Sequence, residues 1–336
     1  MSAIYTFIVI VLGILAVAGL FVGVTNDAVN FLNSAIGSKA APKKVILLVA
    51  SIGIIIGAVT SSGMMEVARS GMFDPSLFSF HEVMMLYLGV MFANIILLDL
   101  YNTWGLPTST TVSLIFCLLG SAIAVSIFKI AGTDALTLAN LGEFINSDRA
   151  LGIIAAILLS VVLAFTCGMI VMYISRLIFT FRYHKIFRNW GALWCGVSLA
   201  SIVYFAVFKG LKAPLAGTAF IAYVTDNMAI ALLITWAVCS AILWILQRLN
   251  VNILKITILA GTFALALAFA GNDLVNFIGV PIAGYDSYQM ARISGDTQML
   301  MSGLKESVPA NFSILVFAGL IMVVTLWTSK KSTNVS

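Results

Sequence analysis

Asn26-Asp27-Ala28-Val29-Asn30 returns late in the chain as Asn272-Asp273-Leu274-Val275-Asn276, and each copy is followed by a phenylalanine, Phe31 or Phe277. Both copies sit inside stretches that are otherwise apolar, roughly Ile4 to Ile36 and Ile253 to Ala283. An ionisable side chain at membrane depth is costly and by default marks an ion or substrate path. Two copies of one polar motif in two parts of an apolar chain point to an internal repeat around a shared central site.

The surrounding composition decides the fold class. Of 336 residues, 61% are hydrophobic and 9% charged, with a mean hydropathy of +1.10. A soluble domain carries about 25% charged residues, so this chain is an all-α, polytopic transmembrane protein. Its net charge of +5 resides in short loops between spans, where membrane topology accounts for it, and no nucleic-acid partner is implied. Cys117, Cys167, Cys195 and Cys239 form no C-x-x-C pair and read as small buried hydrophobes. His81 and His184 lie in loops, far apart, and read as surface residues rather than metal ligands. The start, Met-Ser-Ala, lacks a basic n-region and an A-x-A site, so the first apolar run reads as a span and not a cleaved signal.

A span needs about 20 apolar residues. Candidates are 4–24, 45–63, 83–100, 150–174, 190–208, 228–246, 253–270 and 310–327. The stretch 111–131 is apolar but follows Pro107 and a run of hydroxyls, so it reads as a full span or as half of a re-entrant hairpin; 214–225 is too short to cross. Four basic loops stand out: Lys39/Lys43/Lys44, Arg176/Arg182/Lys185/Arg188, Arg248/Lys255 and Lys330/Lys331. The others are mixed or acidic: Glu66/Arg69/Asp74/Glu82, Asp134/Glu143/Asp148/Arg149 and Asp286/Arg292/Asp296/Lys305/Glu306. Basic loops face the cytoplasm. Alternating the spans puts all four basic loops there if 107–131 makes one net crossing, which places the N-terminus outside and the C-terminus inside a plasma (inner) membrane.

With that orientation the segments leading into Asn26-Asp27 and Asn272-Asp273 run in opposite directions, as inverted-topology repeats require. The expected organisation is a first repeat at 1–175, a cytoplasmic basic loop at 176–189 and a second repeat at 190–336. Each motif-bearing segment would overshoot a bilayer of about 30 Å as one straight helix. Asn and Asp are good N-caps, so the motifs are expected to break their helices and to aim N–H groups and positive dipole ends into the gap.

Gly105-Leu106-Pro107-Thr108-Ser109-Thr110-Thr111 adds a helix-stopping proline and four consecutive hydroxyls, with Asp99 and Asn102 just upstream. No Lys or Arg lies inside a span core, so an anion here would be held by hydroxyls, amides, helix N-termini and co-bound cations. Asp27 and Asp273 would repel a bare anion but suit a hard cation such as Na⁺, or a proton. Carboxylates beside hydroxyl donors therefore point to cation-coupled anion uptake. A carboxylate can also accept from the proton of HPO₄²⁻, which sulfate lacks, and this favours phosphate. An intramembrane enzyme would want a nucleophile with a base beside it; neither His lies in a span, so the chain does not read as an enzyme.

These residues resemble the inorganic phosphate transporter (PiT) family, which carries a G-A-N-D-x-x-N-A-type motif in each inverted half and a P-x-S-T-T hairpin motif. The matching stretches are Gly23-Val24-Thr25-Asn26-Asp27-Ala28-Val29-Asn30, continuing to Gly37-Ser38-Lys39-Ala40, then Pro107-Thr108-Ser109-Thr110-Thr111, then Gly271-Asn272-Asp273-Leu274-Val275-Asn276. The resemblance implies a Na⁺- or H⁺-coupled phosphate symporter, without other cofactor, with its substrate between the repeats. Phosphate is expected at Asn26, Asn30, Ser109, Thr110, Thr111, Asn272 and Asn276. The coupling ion is expected at Asp27 and Asp273 with Asn26 and Asn272; Asp99, Asn102 and Thr108 are further candidates. Val112 stands where many relatives carry His, and no second P-x-S-T-T follows Asn276. The second repeat is thus expected to be incomplete and to need a C-terminal remainder, a second chain or a homo-oligomer before it transports. The competing readings are a sulfate or other oxyanion permease of the same fold, and a non-transporting membrane subunit or anion sensor.

Overall fold

The computed structural model describes residues 3–61, 67–133, 137–180, 183–206, 218, 224–306 and 311–329. Lys330, Lys331, Arg182, Glu66, Asp134 and most of 214–225 lie outside the described residues. The described chain is helical: α1 (Ala3–Gly37), α2 (Lys43–Thr60), α3 (Phe80–Trp104), α4 (Thr110–Ala131), α5 (Ser147–Phe179), α6 (Tyr183–Val203), α7 (Met228–Arg248), α8 (Ile253–Ser294) and α9 (Phe312–Thr328). Eight of these, all but the shorter α9, are long and apolar enough to cross a membrane. Each expected span has its helix, and 110–131 forms a complete one.

The chain folds as two compact units, Met1–Val29 with Ser61–Ala155 and Phe269–Ser336, and Asn30–Thr60 with Ala156–Ala268. Compaction thus cuts across the chain order: each unit takes segments from both halves of the sequence.

In the first unit α1 and α8 run antiparallel. Thr6 Oγ1 meets Tyr288 Oη at 3.0 Å, a side chain at Gly284 would strike Leu12, and one at Gly23 would strike Phe277. This is the relative direction inverted repeats require. Gly23 sets the closeness of the crossing, since a Cβ there would lie 2.1 Å from the Phe277 ring. Small residues at such crossings let helix backbones approach within lipid. Gly23→Ala is expected to lower stability by about 1–3 kcal/mol through overpacking, with partial recovery in Gly23→Ala/Phe277→Leu. Thermal unfolding in detergent measures both, and a neutral single substitution would refute the contact.

Helices α3 and α4 form an antiparallel hairpin that starts and ends on one side. At its base Lys129 Nζ, near the end of α4, donates to Glu82 Oε2 at 2.9 Å and to the Leu77 carbonyl at 2.7 Å. Ser79 and Glu82 form a capping box that starts α3, and Gly105 in the left-handed region (φ 68°) ends it, the conformation that favours glycine. The arms, at 25 and 22 residues, are as long as spans rather than half-length. In the first turn of α4, Ser113 Oγ donates to Asn94 Oδ1 at 2.5 Å and ties the arms together.

The three mixed or acidic loops meet at the hairpin's base. Asp74 N–H donates to the Phe144 carbonyl, Phe80 N–H to Met299, Met301 N–H to Phe78 and Asn146 N–H to Met72, and Lys305 pairs with Asp74 at 2.8 Å. Partial burial opposes ionisation of Asp74, but hydrogen bonds from Lys305 and Ser76 outweigh it and hold the carboxyl below its usual value. Three loops gathered at one end are what the alternation of spans demands.

The expected helix breaks are absent. Helix α1 runs unbroken through Asn26-Asp27 over 35 residues, and α8 through Asn272-Asp273 over 42, with Pro281 inside it. The reason is tertiary: motif side chains such as Asn26, Asp27 and Asp273 engage a neighbouring helix pair instead of capping their own helices.

The second unit is held by an antiparallel pair, α6 and α7. Gly196 packs on Ser240, where a Cβ would fall 2.0 Å from the hydroxyl. Trp236 Nε1 donates to the Leu193 carbonyl and Gln247 Nε2 to that of Phe187, around a core of Ala192, Cys195, Leu243 and Ile253. Gly53 of α2 lets the backbone of Phe263 approach in the same way. Helix α5 exposes Leu158, Val161, Phe165 and Val171, an all-round apolar surface suited to hydrocarbon. Cys195 is buried, but Cys167 is exposed on that same helix, so the expectation of four buried cysteines fails there.

Candidate functional site

Within the first unit, the tip of the α3–α4 hairpin is clamped to the first motif by Asn26. Its Nδ2 donates to Asn102 Oδ1 at 2.7 Å and to the Leu106 carbonyl at 3.2 Å, while its Oδ1 accepts the Thr108 N–H at 2.8 Å. Asn102 in turn donates from Nδ2 to the Val22 carbonyl at 2.8 Å. Asn26 is fully buried and Asn102 nearly so. The clamp satisfies polar groups that Pro107 and the turn leave outside the helical ladder. Asn26, Asn102 and Thr108 thus position the hairpin.

The clamp delivers two adjacent threonines to two carboxylates. Thr110 Oγ1 donates to Asp27 Oδ2 at 3.1 Å, and Thr111 Oγ1 donates to Asp273 Oδ1 at 3.2 Å. Asn276 Nδ2 donates to both Thr111 Oγ1 and Asp273 Oδ1, at 2.8 and 3.0 Å. Asp27 and Thr110 are buried and Asn276 is nearly so. The two carboxylates, remote in sequence, lie within electrostatic range of each other. Like charges held this close in low dielectric repel, and a cation between them would relieve that repulsion. The carboxylate and hydroxyl oxygens of Asp27, Asp273, Thr110 and Thr111 that meet there are the ligand type of hard cations.

The two motif copies contribute unequally. Asn26 is buried where its counterpart Asn272 is exposed, and Asn276 is buried where its counterpart Asn30 is exposed. Asp99 is exposed too. Ser109 is exposed, and its hydroxyl accepts the Val112 N–H as the N-cap of α4. Of the expected site residues, Asp27 with Thr110 and Asp273 with Thr111 and Asn276 form two hydrogen-bonded groups side by side on adjacent threonines, and Asn26, Asn102 and Thr108 support them.

Four features escaped the sequence reading. Thr25 and Ser329 share a hydrogen bond at 3.0 Å, Ser61 Oγ donates to the Gly271 carbonyl at 2.9 Å, and Asn94 binds Ser113. Arg69, assigned to a loop, is buried and ion-paired with Asp286. Only Asn94 carried a signal, as an amide inside an apolar span.

The family model described as "Phosphate transporter family" matches residues 23–333. A protein named as a phosphate permease of Mycobacterium bovis is 33% identical over 133 residues, covering 38% of this chain and 24% of that protein. A protein named as a low-affinity inorganic phosphate transporter of Bacillus subtilis is 29% identical over 174 residues, 51% of this chain and 46% of that one. The matched stretch therefore spans less than half the length of these curated relatives. Among solved structures, "The sodium-dependent phosphate transporter" superposes with a TM-score of 0.75 at 18% identity, covering 97% of this chain and 76% of that one. At that identity the likeness establishes the shared fold.

Proposed function

We propose, starting from the fact that the chain belongs to the phosphate transporter family, that it serves cation-coupled symport of inorganic phosphate across the plasma membrane, with Na⁺ as the coupling ion. The observation that carries this reading is the pair of consecutive hydroxyls, Thr110 and Thr111, each donating to the carboxylate of a different motif copy. A cation bound there would neutralise the two carboxylates and make room for a dianion beside them. Asp27, Asp273, Thr110, Thr111 and Asn276 would form the cation end of the site. Phosphate would take the remaining hydroxyl and amide donors and donate a hydrogen bond from its own O–H to a carboxylate, a contact that sulfate cannot make. The expected N-out, C-in orientation and the organisation as inverted repeats belong to this reading. The antiparallel run of α1 and α8 and the gathering of the mixed loops at one end support them.

Uptake of labelled phosphate into proteoliposomes tests the proposal, under an imposed sodium gradient, under a proton gradient and with competing sulfate. Sodium-driven accumulation that excess sulfate leaves intact is expected from the protein in its complete, native assembly. Accumulation driven by the proton gradient alone would reassign the coupling ion, and sulfate uptake at an equal rate would reassign the substrate.

A further inference from the structure

Arg69 is the only buried cationic side chain among the described residues. It sits on a short π-helical turn, Val67–Gly71, a geometry frequent at functional sites. Its Nη1 donates to Asp286 and its Nε to the Leu304 carbonyl at 3.3 Å, but Nη2 has no partner. Tyr87, also fully buried, has an unpartnered hydroxyl and lies within electrostatic range of both Arg69 and Asp286. Its ring is fixed edge-on to Phe73, with centroids 6.3 Å apart, and Gly284 leaves room for it. Two strong donors are thus left unsatisfied in the interior, where the great majority of polar groups are paired.

The one charged partner here is exchangeable. Asp286 retains 24% side-chain exposure while Arg69 has 1%, so the carboxylate can turn to solvent and the guanidinium cannot. An arginine fork plus a hydroxyl is a donor set that recognises tetrahedral oxyanions. Asp286 lies on α8, about 20 Å along the helix axis from Asp273 at about 1.5 Å per residue. That is towards the end where the three mixed loops gather.

Building on the phosphate reading, we propose that Arg69 and Tyr87 form a second oxyanion subsite, closed by Asp286. An arriving phosphate displaces the Asp286 carboxylate from Arg69, takes the free Nη2 and accepts from the Tyr87 hydroxyl. The carboxylate then serves as a plug that holds the donors when no anion is present.

Equilibrium binding of labelled orthophosphate to the purified full chain in lipid nanodiscs tests this. Tyr87→Phe keeps the ring and its packing and is expected to weaken binding about fivefold. Asp286→Asn removes the competing charge and is expected to strengthen it about tenfold. Arg69→Gln combined with Asp286→Asn leaves no unpaired charge behind and is expected to abolish this class of binding. Unlabelled sulfate that displaces the label from this class supports a general oxyanion subsite. Binding that Tyr87→Phe and Asp286→Asn both leave unchanged, while Asp27→Asn alters it, overturns the subsite and leaves the proposed function standing. No phosphate binding by the unmodified chain overturns both.

Discussion

Asp27→Asn and Asp273→Asn are each expected to weaken sodium binding by the purified chain at least a hundredfold, with little change in thermal stability. Both carboxylates already accept a threonine hydroxyl, and each threonine oxygen keeps a lone pair that can turn to a cation. The amide preserves shape and can still accept that hydrogen bond, so the fold should survive. What is lost is one of two charges that lie within electrostatic range of each other. A hundredfold loss corresponds to about 2.8 kcal/mol, at about 1.4 kcal/mol per decade, which is in the range of one charge-assisted contact. The two substitutions should cost about the same, because the proposed site shares the cation between one carboxylate from each motif copy. Radiolabelled sodium binding in nanodiscs measures this without requiring transport. Native affinity in either variant would remove both carboxylates from the cation site.

The residue pattern revealed what kind of molecule this is and which polar groups meet inside it, because membrane depth makes each buried polar residue conspicuous. Asp27, Asp273, Thr110 and Thr111 were legible for that reason. So was the opposite direction of the two motif helices, since loop charge alternates with topology. The behaviour of the motifs within their helices was not legible. Asn and Asp are good caps in isolation, and that propensity argued for breaks in α1 and α8. Tertiary partners override it: Asn26 finds Asn102, Leu106 and Thr108 on another helix pair, so α1 continues unbroken. Nor could the sequence distinguish Asn26 from Asn272, since two pentads that differ only at Ala28 and Leu274 gave no hint that one asparagine would be buried and the other exposed. Arg69 escaped because a charge beside other charges in a loop reads as solvated, and only folding brings Asp286 and Tyr87 to it.

That difference between the two asparagines carries the second large effect. Asn26→Ala would remove the partner of three polar groups at the hairpin's tip: Asn102 Oδ1, which is buried, and the Thr108 N–H and Leu106 carbonyl, which are partly exposed. An unsatisfied buried group costs about 1–3 kcal/mol. With Asn102 Oδ1 as the one fully buried group, the substitution should cost about 1–3 kcal/mol and release Thr110 and Thr111 from their carboxylates. Asn26→Asp should fall between Asn26→Ala and the native residue. It still accepts from Thr108 but sets a carboxylate against two acceptors. Asn102 cannot simply turn its amide to help, because its Nδ2 is committed to the Val22 carbonyl. Asn272→Ala, at an exposed position, should change stability by only about 0.5 kcal/mol, as surface substitutions do. Thermal unfolding of the three variants in detergent, with sodium binding as a second readout, decides the matter. If Asn272→Ala proved as costly as Asn26→Ala, the two motif copies would be doing the same job, and the assignment of Asn26 as the clamp of the hairpin would be wrong.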